Sequence, residues 1–250
     1  MINEPWKLRR FYAPAENFKT GQITLDQEQS RHLLQVLRMN EGAEVRVFDG
    51  CGREFLCRIG KVEKRRTVLE IIREISPAAA ESDLDLTLAV AVLKGEKFDL
   101  IVQKSVELGV TRLWPLLTRR CDVKLRDSSR KIERWQKIAV EASKQSGRAR
   151  LLEIKEPAEL DFFLKNSASA DLKGGRVFFA ERGGEGFTRI PAQKEMIAVI
   201  GPEGGWEEEE IETARDNGFQ VITLGGRILR AETAAISIAA LVQHNFGDLN

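Results

Sequence analysis

Long apolar runs are missing from this 250-residue sequence: none approaches the roughly 18 residues that a membrane-spanning helix requires. The opening residues, MINEPWKLRRFYAP, lack the apolar stretch of a signal peptide. Cysteine and histidine are scarce, three and two respectively, and no C-x-x-C pair occurs. That leaves little for a structural zinc site or a disulfide framework, so no metal is expected and a reducing cytoplasm is the natural compartment. Cys51, Cys57 and Cys121 are expected as small buried hydrophobes. Two phosphate-binding signatures are also absent, the G-x-G-x-x-G dinucleotide fingerprint and the G-x-x-x-x-G-K-[ST] loop. Net charge is nearly absent as well, at +1.

What is present is the composition of a soluble globular protein, 42% hydrophobic and 31% charged, with an uneven charge distribution. Residues 94–150 carry 15 Lys and Arg against 7 Asp and Glu, whereas residues 151–250 carry 10 against 17. A basic middle followed by an acidic end suggests one polyanion-facing surface, although solvated helix faces would give the same count. Residues 1–75 read as β-rich, with a helix from Asp26 to about Arg38 whose Leu33, Leu34 and Leu37 recur at helical spacing. Strands are expected at 44–48, 54–62 and 67–75, with Asp49-Gly50-Cys51-Gly52 as a hairpin turn. Such a module fits a small barrel. Residues 76–83 have the proline, small residues and polarity of a linker. From 84 to 250, strands alternate with helices, the pattern of a parallel sheet covered on both faces. Helices are expected at 96–108, 128–146, 158–165, 206–217 and 233–246, the last with Thr233 as N-cap.

Two glycine-rich turns stand out near the end. Gly201-Pro202-Glu203-Gly204-Gly205 follows the strand Met196–Ile200, and Gly225-Gly226 follows Gln220–Leu224. Glycine lets the backbone approach a ligand closely, and such turns lie at the carboxyl ends of strands, where α/β proteins bind ligands. After the first turn, Glu207 to Glu210 load a helix start with negative charge. This suits the helix dipole and disfavours phosphate, so a neutral or cationic ligand is expected. The last helix, from Ala234 to Val242, has almost no polar face and must be covered on every side, in the core or by a second subunit.

The stretches RHLLQVLRMNEGAEVRVFDG, KGEKFDLIVQKSVELGV, RWQKIAVEASKQSGR, IGPEGGWEEEEIE, LGGRILRAETAA and the ending HNFGDL occur in this order along the chain. They resemble the bacterial family that methylates N3 of a uridine in 16S ribosomal RNA. The resemblance implies an α/β fold with an N-terminal PUA-like RNA-binding β-barrel (1–75) and a SPOUT-type methyltransferase domain with a trefoil knot (84–250), acting as a homodimer. It implies S-adenosylmethionine as cofactor and the small-subunit RNA as partner. It also places the cofactor against Ala180, Ile200, Gly201, Gly204, Gly205, Leu224, Gly225, Ile228, Leu229 and Ala234, and the family's L-R-x-E-T segment on Arg230 to Thr233. One departure is Arg119-Arg120-Cys121-Asp122, where acidic–arginine–serine is expected.

Methyl transfer to uracil N3 requires loss of the N3 proton, and a fixed cation helps by stabilising charge on N3, O2 and O4. Arg230 is expected in that role, and Glu232 or solvent as the base; Glu232 could equally pair with Arg230 or Arg227. RNA contacts are expected from Arg9 and Arg10 beside Phe11-Tyr12, from Arg31, His32 and Arg38, and from Lys131, Arg134, Lys137, Lys144 and Arg148. Two other readings share parts of this pattern: an RNA-binding assembly factor for the ribosome, which needs no intact glycine turns, and a methyltransferase of the same superfamily acting on transfer RNA.

Overall fold

The computed structural model describes residues 8–63, 66–121, 123, 128–169 and 175–250. The chain divides into two compact units, Met1–Glu81 with Ser143–Leu151, and Ser82–Ala142 with Leu152–Asn250.

The first unit is a six-stranded mixed sheet. Its strands are β1 (Arg10–Tyr12), β2 (Phe18–Lys19), β3 (Gln22–Leu25), β4 (Glu44–Phe48), β5 (Glu54–Glu63) and β6 (Arg66–Ile75). They lie in the order β1-β4-β5-β6-β3-β2, antiparallel throughout except for the β1–β4 pair. The hairpin between β4 and β5 is organised by Asp49, whose Oδ1 accepts from the N–H groups of Cys51 (2.7 Å) and Arg53 (3.1 Å). Phe11, Ile23, Leu25, Leu33, Val45, Val47, Cys57, Ile59 and Leu69 form the core. Burial pushes the Cys57 thiol up to about 12. Cys51, by contrast, is exposed rather than buried.

The helix in this unit is shorter than its apolar spacing suggests. Asp26 caps α1 (Gln27–Arg31), accepting from Gln29 N–H at 2.7 Å. The chain then widens into a π-helical turn over His32–Val36, closed by Leu37 N–H to His32 O at 3.0 Å. Arg38 has left the helix altogether, with φ of 52°.

Beneath β1 and β4 lies a buried charge cluster. Glu54 is fully buried and takes Arg10 Nε at 2.9 Å and Arg46 Nε at 2.7 Å. Desolvation pulls the Arg46 guanidinium below its ordinary value, opposed by the Glu54 charge. The remaining Arg10 donors reach the carbonyls of Ser143 (2.6 Å), Lys144 (3.2 Å) and Arg148 (3.1 Å). Arg148 in turn pairs with Glu81 at 2.8 Å, and Gly52 N–H donates to Ala149 O at 3.2 Å. Residues 143–151 are therefore held to the first unit by backbone and charge together.

The second unit is a parallel α/β sheet. Its elements are β7 (Asp85–Ala91), α2 (Lys97–Glu107), β8 (Arg112–Leu117), α3 (Ser128–Ser146), β9 (Glu153–Ile154), β10 (Ala158–Glu159), α4 (Leu160–Ser169), β11 (Gly175–Phe179), β12 (Glu185–Gly186), β13 (Glu195–Ile200), α5 (Glu208–Asp216), β14 (Gln220–Thr223) and α6 (Ala231–Phe246). The strand order is β10-β8-β7-β13-β11-β14-β12, with β9 also beside β8, and every pair is parallel. Side chains alternate across the sheet, as the two-residue period of a strand demands. Val177, Phe179, Met196, Ala198 and Ile200 join α2, α3 and α6 in one core, while Phe178, Ile197 and Val199 join α4 and α5 in the other.

Three helix starts differ by two residues from the sequence expectation. The fourth helix begins at Leu160, because 158–159 pairs with β8. The fifth begins at Glu208, with Glu207 as N-cap and the Glu210 carboxylate reaching back to Glu207 N–H at 2.9 Å in a capping box. The last begins at Ala231, not after Thr233: Arg230 is its N-cap, with its carbonyl accepting from Ala234 N–H at 2.8 Å. No described helix is long and apolar enough to cross a membrane.

Candidate functional site

A cavity of about 380 Å³ opens where β11, β13 and β14 end. That size falls within the range of about 300–1,000 Å³ for small-molecule sites. Three loops wall it: Phe179 to Glu181 after β11, Ile200 to Glu203 after β13, and Leu224 with Arg227 to Arg230 after β14. The first turns of α6 complete it through Ala231, Ala234 and Ile238, and Lys97 at the start of α2 adds a cation. Its lining combines apolar side chains such as Phe179, Ile200, Leu224 and Ile238 with the charged Lys97, Glu181, Glu203, Arg227 and Arg230, and of the turn glycines it takes Gly201 alone.

Of the residues named from the sequence for the cofactor, Ala180, Ile200, Gly201, Leu224, Ile228, Leu229 and Ala234 line this cavity. Gly204, Gly205 and Gly225 do not, and the first two are explained by protein neighbours. A Cβ on Gly204 would lie 3.1 Å from Cβ of Arg120, and one on Gly205, whose φ is 71°, would meet Glu181 Oε1 at 3.0 Å. Even Gly201, which does line the cavity, is small for another reason. A Cβ there would lie 2.8 Å from the indole of Trp206, whose Nε1–H donates to Phe179 O at 2.8 Å and whose ring packs on Phe178 at 4.3 Å. Gly225 has φ of 62° and open space around it.

The acidic helix start is not the ligand's electrostatic neighbour. None of Glu207 to Glu210 lines the cavity; the carboxylates that do are Glu181 and Glu203. Glu210 is buried and accepts from Arg119 N–H at 3.0 Å. Arg119 pairs with Glu209, and Arg120 Nε donates to Glu207 at 2.7 Å. The hydrogen bond to Arg120, reinforced by its charge, holds the Glu207 carboxyl below the usual carboxylate range. Sequence reasoning missed these two arginines as supports of the glycine loop; the signal available was a basic pair matched to an acidic run. Asp122, the last residue of that segment, lies outside the described residues.

The cations around the cavity differ in engagement. Lys97 is ion-paired with Glu203. Among the described residues, neither Arg227 nor Arg230 has an ion-pair partner, and both are exposed at the rim. Arg230 also stands at the N-terminus of α6, where the free backbone N–H groups favour negative charge. Glu232 faces elsewhere: it is not a lining residue, it makes no ion pair among the described residues, and its Oε2 is buried without a hydrogen-bond partner. Arg230 and Glu232 are thus not brought together.

The candidate RNA contacts divide into two groups. Arg9, Arg31, Arg38 and Arg134 are exposed, and Lys144 is half-buried. Arg134 already pairs with Asp99 at 2.5 Å. Arg10 and Arg148 are inside, 8% and 5% exposed, in the charge cluster around Glu54 and Glu81. Phe11 is fully buried and so offers no stacking surface, and half-buried His32 packs edge-on against it at 6.2 Å.

Comparison with known proteins gives consistent likenesses. A family model for an RNA methyltransferase domain matches residues 80–243, and one for an RNA methyltransferase PUA domain matches residues 25–72. The Ribosomal RNA small subunit methyltransferase E of Synechocystis is 35% identical over 94% of this chain and 77% of its own length. Two solved structures each share 33% identity, cover 97% of this chain and 100% of theirs, and superpose with a TM-score of 0.88. One is a methyltransferase of Legionella pneumophila in complex with the cofactor SAM; the other is a ribosomal RNA small subunit methyltransferase E of Neisseria gonorrhoeae bound to S-adenosyl methionine.

Proposed function

The chain belongs to the ribosomal RNA small subunit methyltransferase E family, and from that premise we propose that it transfers a methyl group from S-adenosylmethionine to N3 of a uridine in the 16S RNA of the small ribosomal subunit. The observation that carries this reading is the three-loop cavity with the exposed Arg230 at its rim. The cavity suits the cofactor: it has apolar walls for an adenine, the backbone of Gly201 and its neighbours, no phosphate loop, and the Glu181 carboxylate for a cationic ligand. Bound there, S-adenosylmethionine supplies an electrophilic methyl group. The chain's own part would be to hold the cofactor against the apolar side chains of Ile200, Leu224 and Leu229 and to stabilise the uracil anion. Arg230 would do the latter, assisted by the N–H groups at the start of α6, with charge developing on O2 and O4 as the N3 proton passes to solvent. The N3–methyl bond forms as the sulfur–methyl bond breaks, and S-adenosylhomocysteine is the leaving group.

Residues 1–75 serve as the RNA-binding PUA-like domain, 76–83 as a linker, and 84–250 as the catalytic domain with the SPOUT trefoil knot. The protein works in the cytoplasm as a homodimer, the second copy covering the partly exposed Ile236, Ala240 and Leu241 of α6. The exposed Arg9, Arg31, Arg38 and Arg134 contribute to the RNA contact.

The test is methyl transfer from labelled S-adenosylmethionine to small subunits or their RNA from cells lacking the enzyme, with the modified nucleoside mapped. Arg230→Ala is expected to lower kcat by about 10²–10³-fold, the scale for losing one preorganised donor to an oxyanion, with cofactor affinity retained. Near-normal turnover of the variant removes Arg230 from the chemistry; no transfer by the wild type removes the function.

A further inference from the structure

Gly201 to Glu203 form one wall of the cavity, and the two sides of the loop 201–205 are fixed differently. The inner side rests on Trp206, which fills the space a Gly201 side chain would need. The outer side is exposed at Glu203 and Gly204. A segment that follows another strand of the sheet reaches it. Residues 118–121 follow β8, which is separated from β13 by β7. This segment lies over the end of β7, where Cys121 Sγ donates to Val92 O at 3.1 Å, and then reaches the glycine loop.

The reach is made by one guanidinium with two tasks. Arg120 Nη1 donates to Gly204 O at 3.0 Å, and its Nε donates to Glu207 Oε1 at 2.7 Å. Its Cβ occupies the space beside the Gly204 α-carbon, 3.1 Å from where a Cβ would stand. Arg119 secures the far end of the same turn, through its N–H to buried Glu210 and its side chain to Glu209. The carbonyl of residue 204 and the helix start after residue 206 are thus tied to one strut. Neither arginine lines the cavity.

We infer that Arg120, backed by Arg119, is a positioning residue that sets the shape of the cofactor loop, so that affinity for S-adenosylmethionine depends on it while turnover of the bound complex does not. This rests on the reading of the cavity as the cofactor site. Exposed ion pairs add little to global stability because water screens both partners. The strut therefore acts on where the loop sits, not on whether the protein folds. Lysine cannot replace it fully, since a single ammonium lacks the planar fork that serves Gly204 and Glu207 together. The loop's own charge also fits the inference: the pair at 119–120 is basic where the run at 207–210 is acidic, so each half of the strut has its counterpart.

The experiment is calorimetric titration of the full-length protein with S-adenosylmethionine, alongside methyl-transfer kinetics on small-subunit RNA. Arg120→Ala is expected to weaken cofactor affinity by about tenfold, which corresponds to about 1.4 kcal/mol. KM for the cofactor should rise by the same factor with kcat unchanged, and Tm should stay within about 2 °C of the wild type. Arg120→Lys should fall between the two. Because the contacts act as one unit, R120A/E207A should bind no more weakly than R120A alone. Wild-type affinity in R120A, or a fall in kcat with affinity retained, overturns the inference. A wild-type protein that binds no S-adenosylmethionine overturns the cavity assignment itself, and the strut with it.

Discussion

A methyl group added at Gly201 would lie 2.8 Å from the Trp206 ring, and that ring cannot retreat, being hydrogen-bonded to Phe179 O and packed on Phe178. Gly201→Ala is therefore expected to destabilise the protein by about 1–3 kcal/mol, the usual cost of overpacking, read as a lower urea midpoint. Cofactor affinity should fall as well, since it is the backbone at Gly201 that must shift, and Gly201 lines the cavity. The importance of this glycine was legible in the sequence, but its cause was not: a turn composition shows that a side chain is excluded without showing what excludes it. The cysteines make a second test at this scale. Cys57, raised to about 12 by burial, stays a neutral thiol at pH 8, whereas Cys51 is exposed. A thiol reagent at pH 8 should modify Cys51 in the native protein and reach Cys57 only after denaturation. Rapid native labelling of Cys57 would contradict its burial.

Elements carried more of the sequence signal than residues did. The long strands and helices of the second unit follow their apolar periods closely, because β7, β11 and β13 are buried on both faces and α3 presents one apolar stripe. The two-residue strands β2, β9, β10 and β12 were not legible, since a pair of residues has no period to read. The boundary of α6 was misplaced for a different reason. Thr233 has the side chain of an N-cap, but Arg230 takes the position through its backbone alone. In the first unit, β4 reads as an ordinary strand and Arg10 as an RNA contact, and only the fold brings Arg10 and Arg46 onto Glu54. Removing that carboxylate strands two guanidinium groups inside. Glu54→Ala should cost about 3–5 kcal/mol, the scale for breaking a buried ion pair on one side, measured by denaturant unfolding. A change under about 0.5 kcal/mol, the ordinary scatter of surface substitutions, would contradict that account.

At the scale of the whole molecule, charge is divided along the chain while the total stays near neutral. RNA binding that uses the exposed arginines should weaken as salt rises, with a slope of about −0.7 per phosphate contacted on a single strand. Arg31→Glu or Arg134→Glu should reduce affinity and flatten that slope, whereas Arg148→Ala should act on stability, since its guanidinium is buried on Glu81. The sequence separated a β-rich start from an α/β remainder by composition and period. It gave no sign that Ser143–Leu151, in the middle of the second pattern, packs with the first unit.

That placement governs the order in which the protein can be made. The carbonyls that satisfy Arg10 and the arginine that pairs with Glu81 are translated long after the strands they complete. At about 5–20 residues per second, the roughly seventy residues from Glu81 to Leu151 take about 4–14 s to synthesise. Through that interval the nascent sheet carries a buried-charge cluster short of its partners, and it must wait, half-closed, for a segment still inside the ribosome.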